Sequence, residues 1–357
     1  MAHIILNKDK LYHNYKYLNA FFKDQEIEWS VVTKILCGNK CFLEVLFSLD
    51  IKSFSDSRIS NLKIIKNRKP DCTTIYIKPP AKGVISEIIK YADVSLNSSL
   101  YTIKLLDEEA KKNNKKHQII LMIDLGELRE GVMREDFLEL FDNAHRLSNI
   151  EIIGIGSNLS CLYGILPNSD KLNQLYLYKQ LVELKYKTKL KYISGGSSVT
   201  IPLLQNKLID SKINHFRIGE TLFMGTNAYD QSNYKELKQN VFELCAEIIE
   251  LYEKPLIPSG EMGTSVTGDI PKFNLNDLGK KSIRALIDIG LLDVDIKYLN
   301  PIDDHIKIEA ATSDIIVLEM KKNEHNYAVG SIVTLQLDYM GIVRIMNSRY
   351  IDKVITT

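Results

Sequence analysis

The chain has 357 residues, 45% hydrophobic and 25% charged, enough material for one large α/β domain and a smaller companion. With 46 Lys and Arg against 45 Asp and Glu, the net charge of +1 excludes a long-range field built to gather nucleic acid or an anionic membrane. No stretch approaches the ~20 apolar residues needed to span a bilayer, and no signal peptide is expected from the amino-terminal sequence. The five cysteines, at 37, 41, 72, 161 and 245, form no CxxC pair. An odd count of this kind reads as reduced thiols in a cytoplasmic protein.

In chain order, a helical pattern over 11–21 precedes a first buried strand, Trp29-Ser-Val-Val-Thr-Lys-Ile-Leu36. Lys34 sits where that strand runs out, with its stem among apolar neighbours and its amine at an open strand end. Such a place suits a Schiff-base nucleophile. Strands are predicted at 30–35, 51–54, 73–77, 93–96, 118–124, 151–156, 191–193 and 215–217. Amphipathic segments lie between them, at 41–49, 57–65, 98–112, 137–147 and 169–184. Eight strands with helical crossovers predict parallel pairing and a closed (β/α)8 barrel over residues 1–230. Beyond that, short strands at 240–251, 284–289, 306–310, 314–318, 331–337 and 342–346 predict a β-rich second domain, 231–357.

A barrel gathers its chemistry at the carboxyl ends of its strands. Here those ends read Lys34, then Asp124-Leu-Gly-Glu-Leu-Arg-Glu-Gly131, Gly154-Ile-Gly-Ser-Asn158, Ser194-Gly-Gly-Ser-Ser198 and Arg217-Ile-Gly-Glu220. The last two loops carry glycines and hydroxyls fit to hold a phosphate. His215 lies far in sequence from any Cys/His cluster of ligand spacing and reads as structural, so no metal is expected.

These segments, with Phe54-Ser-Asp-Ser-Arg58, Gly260-Glu-Met-Gly263 and Thr312-Ser-Asp314, resemble the alanine racemase superfamily of pyridoxal phosphate (PLP) enzymes, in particular the ornithine racemase-like branch. The resemblance covers nearly the whole chain. It implies that Lys34 carries the cofactor as an aldimine and takes part in proton transfer at Cα. It implies Arg217 at the pyridine nitrogen, and phosphate contacts from Ser198, Gly219 and Tyr339. It also implies Arg129 at the substrate carboxylate, a homodimer with shared active sites, and an amino-acid substrate, ornithine or another basic one. Glu127 is a candidate contact for such a side chain.

Three positions depart from the family pattern. Asn158 stands where many members have a histidine against the cofactor ring. Met122 stands where many have a carbamylated lysine. At Gly290-Leu-Leu-Asp293 the second proton-transfer tyrosine is missing. A racemase needs an acid or base on each face of a planar carbanion. Cys161 is the leading substitute, then Tyr163. Without such a group the scaffold would suit a PLP-dependent lyase or decarboxylase, or a non-catalytic PLP-binding homeostasis protein.

Overall fold

Eight β-branched runs separated by helices form the parallel barrel that the alternation predicts. In the computed structural model, which describes residues 2–209, 212–264, 268 and 270–357, the chain divides into two compact units. One spans residues 10–239. The other joins residues 1–9 to 240–357.

In chain order the elements begin with β1 (His3–Asn7) and α1 (Lys8–Asp24). The barrel strands follow: β2 (Glu28–Val32), β3 (Ser53–Asp56), β4 (Thr73–Tyr76), β5 (Val94–Asn97), β6 (His117–Met122), β7 (Ile150–Gly156), β8 (Tyr192–Ser194), β9 (Gly196–Ser197) and β10 (His215–Ile218). Their sheet order is β8-β7-β6-β5-β4-β3-β2-β10-β9. Because β8 and β9 are separated by Gly195 alone, they act as one broken strand. Its first half pairs with β7, its second with β10, and the barrel closes there. The principal crossover helices are α2 (Lys40–Phe47), α3 (Ile59–Arg68), α4 (Ile85–Tyr91), α5 (Leu100–Lys112), α6 (Phe137–His145) and α7 (Ser169–Tyr186). Two short helices, α8 (Ile201–Gln205) and α9 (Glu220–Met224), follow the last strands.

Strand register divides one face of this sheet into two halves. Arg217 lies beside Ser30, Val32 beside Ser55 and Ser55 beside Ile75. Ile75 in turn lies beside Val94, and Leu96 beside Ile120. From β4 to β8 this face is an apolar cluster of Ile75, Val94, Leu96, Ile120, Met122, Ile153 and Tyr192. From β8 through β10 to β3 it is polar, with Ser194, His215, Arg217, Ser30 and Ser55 all buried. Buried polar groups persist only when hydrogen-bonded, and these are: Ser30 Oγ meets Ser55 Oγ at 2.6 Å, and Ser194 Oγ meets His215 Nδ1 at 2.7 Å.

The first strand ends earlier than predicted. Thr33 leaves the strand pairing: its N–H donates to Ser55 O and its hydroxyl to Asp56 Oδ2 at 2.7 Å, and residues 34–36 then make one 3₁₀ turn. Lys34 opens that turn and is exposed.

The other unit is a mainly antiparallel sheet, with β1 and the chain's last strand its parallel pair. It comprises β11 (Phe242–Pro255), β12 (Lys281–Ile287), β13 (Leu299–Pro301), β14 (Lys307–Ala311), β15 (Ile316–Glu319), β16 (Ile332–Leu337) and β17 (Asp352–Thr356). Its main order is β13-β16-β11-β12-β15-β14, with β1 between β11 and β17. One predicted strand, 342–346, is instead the helix α10 (Tyr339–Asn347). Ile342, Val343 and Ile345 are β-branched, but burial falls on Gly341, Ile342, Ile345 and Met346, the three- and four-residue spacing of a helix.

Candidate active site

Arg217 is the best-determined candidate residue. It is 6% exposed, and β10 holds it in the polar half of the sheet. Its Nη1 donates to Ser194 O at 2.7 Å and to Ser194 Oγ. Its Nη2 donates to Ser157 O at 2.9 Å and to Asn158 Oδ1 at 2.6 Å. A guanidinium has five N–H groups, so these four bonds leave only Nε–H without a partner among the described residues. Burial brings the guanidinium down to about 10, with Glu130 opposing and the Arg129 charge assisting that shift. It therefore remains a cation at neutral pH. No ion pair with Glu220 or Asp124 holds it.

Ser194 Oγ accepts from Arg217, so its own hydrogen points to His215 Nδ1. His215 must then carry its proton on Nε2. Burial, and then the charge of Arg217, pushes this imidazole down to about 3. It also packs on Tyr192, ring centroids 4.5 Å apart. His215 is thus a neutral structural acceptor, as its sequence context indicates.

Asn158 follows β7. Its Oδ1 accepts from Arg217, so its Nδ2 faces away and donates to Glu130 Oε1. Glu130, whose side chain is 8% exposed, also receives both Nε and Nη2 of Arg129. The result is a continuous chain, Arg129–Glu130–Asn158–Arg217, linking two residues singled out from sequence. Glu130 is the link that the sequence reading missed as a member of the site. Its only signal is its place between Arg129 and Gly131 at a strand end. The loop's shape depends on Gly131, at φ 136°, where a Cβ would overlap the Asp124 backbone nitrogen.

Cys161 lies in the loop after β7 and is exposed; its thiol is in contact with Arg129. Tyr163, in the same loop, is 67% exposed. Glu127 organises this loop. Its buried carboxylate accepts from the backbone N–H of Ser160 (3.0 Å), Cys161 (2.8 Å), Tyr163 (2.9 Å), Ile165 (3.0 Å) and also Leu162. Burial alone would push the acid up, but these donors outweigh it and hold Glu127 at about 2. Both oxygens are occupied by main chain, so Glu127 does not fit the role of a contact for a basic substrate side chain.

Lys34, Ser198 and Gly219 sit at neighbouring strand ends. β2 and β10 pair through Val31 and Ile218, so Lys34 and Gly219 follow adjacent positions. A Cβ on Gly219 would lie 3.1 Å from Val32 Cβ. Glu220 feels the charge of Lys34, although burial dominates and raises its carboxyl. Asp56, fully buried and also raised by burial, fixes the residue before the lysine by accepting from the Thr33 hydroxyl. Ser198 Oγ accepts from Thr221 N–H at 3.2 Å, which stitches together the loops after β8 and β10 and leaves the serine hydrogen to donate. Tyr339 belongs to the β-rich unit, where it is half-buried at the first position of α10.

A cavity of about 410 Å³ opens at the opposite, amino-terminal ends of β2, β3, β4, β8 and β10, lined by Glu28, Trp29, Lys191 and Tyr192 among others. Of the residues singled out from sequence only the structural His215 lines it, and barrel chemistry belongs at the other rim.

The fold and these strand-end residues define a barrel enzyme of the racemase type. The family model described as alanine racemase, N-terminal domain, matches residues 6–227, and the chain belongs to the alanine racemase family. It is 34% identical to an ornithine racemase from Acetoanaerobium sticklandii, over 98% of both chains. It is 30% identical to a lysine racemase from Thermotoga maritima, over 98% of this chain and 97% of that one. Among solved structures, the alanine racemase of Clostridium difficile 630 in complex with cycloserine shares the fold at a TM-score of 0.75 and 16% identity, covering 99% of this chain and 95% of that one. That of Bartonella henselae, with covalently bound pyridoxal phosphate, gives a TM-score of 0.72 at 16% identity, covering 99% of each. Among the described residues no helix is long and apolar enough to cross a membrane.

Proposed function

We infer that this chain binds pyridoxal 5′-phosphate and interconverts the enantiomers of an amino acid, with Lys34 as the attachment point. The observation that carries the reading is the single uncommitted donor of Arg217, its Nε–H, in an otherwise saturated buried guanidinium. A pyridine nitrogen offers one acceptor, which that donor matches. Ser157, whose carbonyl accepts from Arg217, also has a buried Oγ without a partner among the described residues. Ser198 Oγ–H and the amide region of Gly219 are suited to phosphate oxygens, with Tyr339 as a further phosphate contact.

When bound, the cofactor supplies an aldehyde for amine attachment and a conjugated ring that accepts the electron pair left when Cα–H breaks. A permanently protonated arginine donates a hydrogen bond to the ring nitrogen without giving up its proton. Ring protonation is thereby withheld, which favours simple proton exchange over transamination. Lys34 Nζ takes or returns the Cα proton on one face. Cys161 Sγ serves the opposite face, near the Arg129 guanidinium. Arg129 also orients the substrate carboxylate; Glu130 and Asn158 set its position relative to Arg217.

Ornithine or lysine is the favoured substrate, supported by the names of the two long-range relatives. The working unit is a homodimer with shared sites, a reading supported by family resemblance. Five free cysteines are consistent with a cytoplasmic location. A lyase reading has one observation in its favour: the D-threonine aldolase of Filomicrobium marinum shares the fold at a TM-score of 0.71 and 11% identity, covering 97% of this chain and 88% of that one.

The test combines borohydride trapping with chiral analysis in deuterated water. PLP-loaded protein should yield a pyridoxyl adduct on Lys34 and introduce deuterium at Cα of both enantiomers of ornithine or lysine. Absence of an adduct on Lys34 overturns the cofactor assignment. Release of carbon dioxide or an aldehyde, without inversion, overturns the racemase assignment.

A further inference from the structure

Away from these residues, the β-rich unit brings together three side chains that the sequence keeps apart. Asp303 and His305 lie in the connection between β13 and β14, and His325 in that between β15 and β16. Asp303 Oδ1 is 3.2 Å from His305 Nδ1, and Asp303 Oδ2 is 2.6 Å from His325 Nδ1. One donor atom from each of the three lies within 4.8 Å of the others. We propose that Asp303, His305 and His325 form a binding site for a borderline divalent transition metal, Zn²⁺ in type, through one carboxylate and two imidazole Nδ1 atoms.

Four features support this assignment. First, both rings turn the same nitrogen toward one carboxylate, which converges three donors on one point. Second, coordination through Nδ1 requires the ring proton on Nε2, and Glu324 Oε2 stands 3.3 Å from His305 Nε2, a carboxylate at ion-pair distance on that side of the ring. A carboxylate behind a metal-binding histidine fixes its tautomer and ring orientation. Third, the carboxylate is itself held: Tyr327 Oη donates to Asp303 Oδ2 at 3.1 Å and His305 N–H to Oδ1 at 2.9 Å. Fourth, the loop carrying His325 is closed by two bonds between Asn323 and Tyr327, at 2.8 and 2.9 Å.

The donor set also selects the ion. Two imidazoles and a carboxylate suit Zn²⁺, Ni²⁺, Cu²⁺ or Co²⁺ rather than Mg²⁺ or Ca²⁺, which take oxygen donors. Tetrahedral metal–nitrogen bonds of about 2.1 Å place donors ~3.4 Å apart, so atoms now within 4.8 Å of one another need shifts on the order of 1 Å to close on the ion. Both rings are about half exposed, with side chains 46% and 53% accessible, and have room for that movement. Their exposure also leaves the remaining coordination positions to water. The expectation of no metal, drawn from ligand spacing along the chain, misses this arrangement because His325 is twenty residues beyond His305.

The test is equilibrium dialysis of the full-length protein against micromolar Zn²⁺, with bound metal read by elemental analysis. The protein should retain one equivalent more than His305→Ala/His325→Ala, and His325→Ala alone should bind at least tenfold more weakly. His145→Ala, at an exposed histidine elsewhere, should match the unaltered protein. Circular dichroism should show all variants folded. Equal uptake by the unaltered protein and the double variant, whether zero or one equivalent, overturns the site. Metal uptake is read without reference to turnover, so its failure leaves the racemase reading standing.

Discussion

Asn158 Oδ1 accepts a hydrogen bond from Arg217 Nη2 at 2.6 Å, and this contact fixes which end of the amide meets Glu130. The buried cation Arg217, proposed to meet the ring nitrogen, is thereby joined to Arg129, proposed to meet the substrate carboxylate. Asn158→Ala removes the joint. A hydrogen bond to a charged group is worth about 1.5–3 kcal/mol, so kcat/KM should fall roughly 10- to 100-fold. Asn158→His, which restores a ring able to accept from Arg217, should recover part of the loss. Steady-state kinetics on both variants checks this.

Glu127→Gln exchanges one acceptor oxygen for a donor that faces main-chain N–H groups. The native carboxyl lies at about 2, below the ordinary 4.5, which corresponds to roughly 3 kcal/mol of stability at neutral pH. Because the folded value is the lower one, this stability is complete above the unfolded value and disappears as pH falls through the folded one. Urea midpoints should therefore separate the two proteins at pH 7 and converge toward pH 2. The 160–165 loop should become the preferred site of proteolysis in the variant.

His215 gives the opposite kind of group the same sign. A base held at about 3 in the folded state and near 6.5 when unfolded makes the unfolded chain bind more protons between those values. Stability should fall as pH drops below about 6.5 and remain flat above it. His117, brought to about 4 by burial, adds a second contribution in the same window. Proton NMR should show the His215 ring neutral at pH 5. A ring that titrates near 6.5 in the folded protein rules this account out.

Gly131→Ala places a methyl against the Asp124 backbone nitrogen at a φ that L residues rarely adopt. The loop bonds Asp124 N–H to Val132 O and Val132 N–H to Met122 O, both 2.9 Å, should be disturbed. Strain of this kind costs about 1–3 kcal/mol, and it displaces Arg129 and Glu130. The variant should lose turnover more than it loses thermal stability, as seen by comparing kcat with the melting temperature.

Cys161→Ser nearly retains the size of the side chain but replaces a thiol with a hydroxyl, a far weaker acid. Turnover should fall by about 10²–10⁴ in both directions, the usual range for one general acid–base group, while the cofactor's absorbance stays unchanged. Deuterium exchange at Cα with retained configuration should survive in the variant, because the Lys34 face is intact. Unaltered racemisation by Cys161→Ser assigns the second face to another group.

The barrel was legible because eight apolar runs recur with amphipathic segments between them, and their period survives in the three-dimensional order. The loops after the barrel strands were legible as the segments between those runs, and the roles proposed for their residues came from family resemblance alone. What the sequence conceals is which atoms meet. Nothing local says that Glu127 points into the main chain, or that Glu130 rather than Asp124 receives Arg129. Residues 342–346 mislead because β-branched side chains also pack well on a short helix when Gly341 permits close approach to Tyr298. Strand β1 escapes notice because its partners stand at the far end of the chain. The exposed Lys34 follows from Thr33, whose bonds to Ser55 and Asp56 stop the strand before its lysine.

That distant pairing imposes an order of events on biosynthesis. His3–Asn7 lies between Phe242–Pro255 and Asp352–Thr356, so during synthesis this strand meets its first partner only after the barrel residues have been made, and its second later still. The barrel residues, 10–239, can therefore pair among themselves before the β-rich unit has the strands that enclose His3–Asn7.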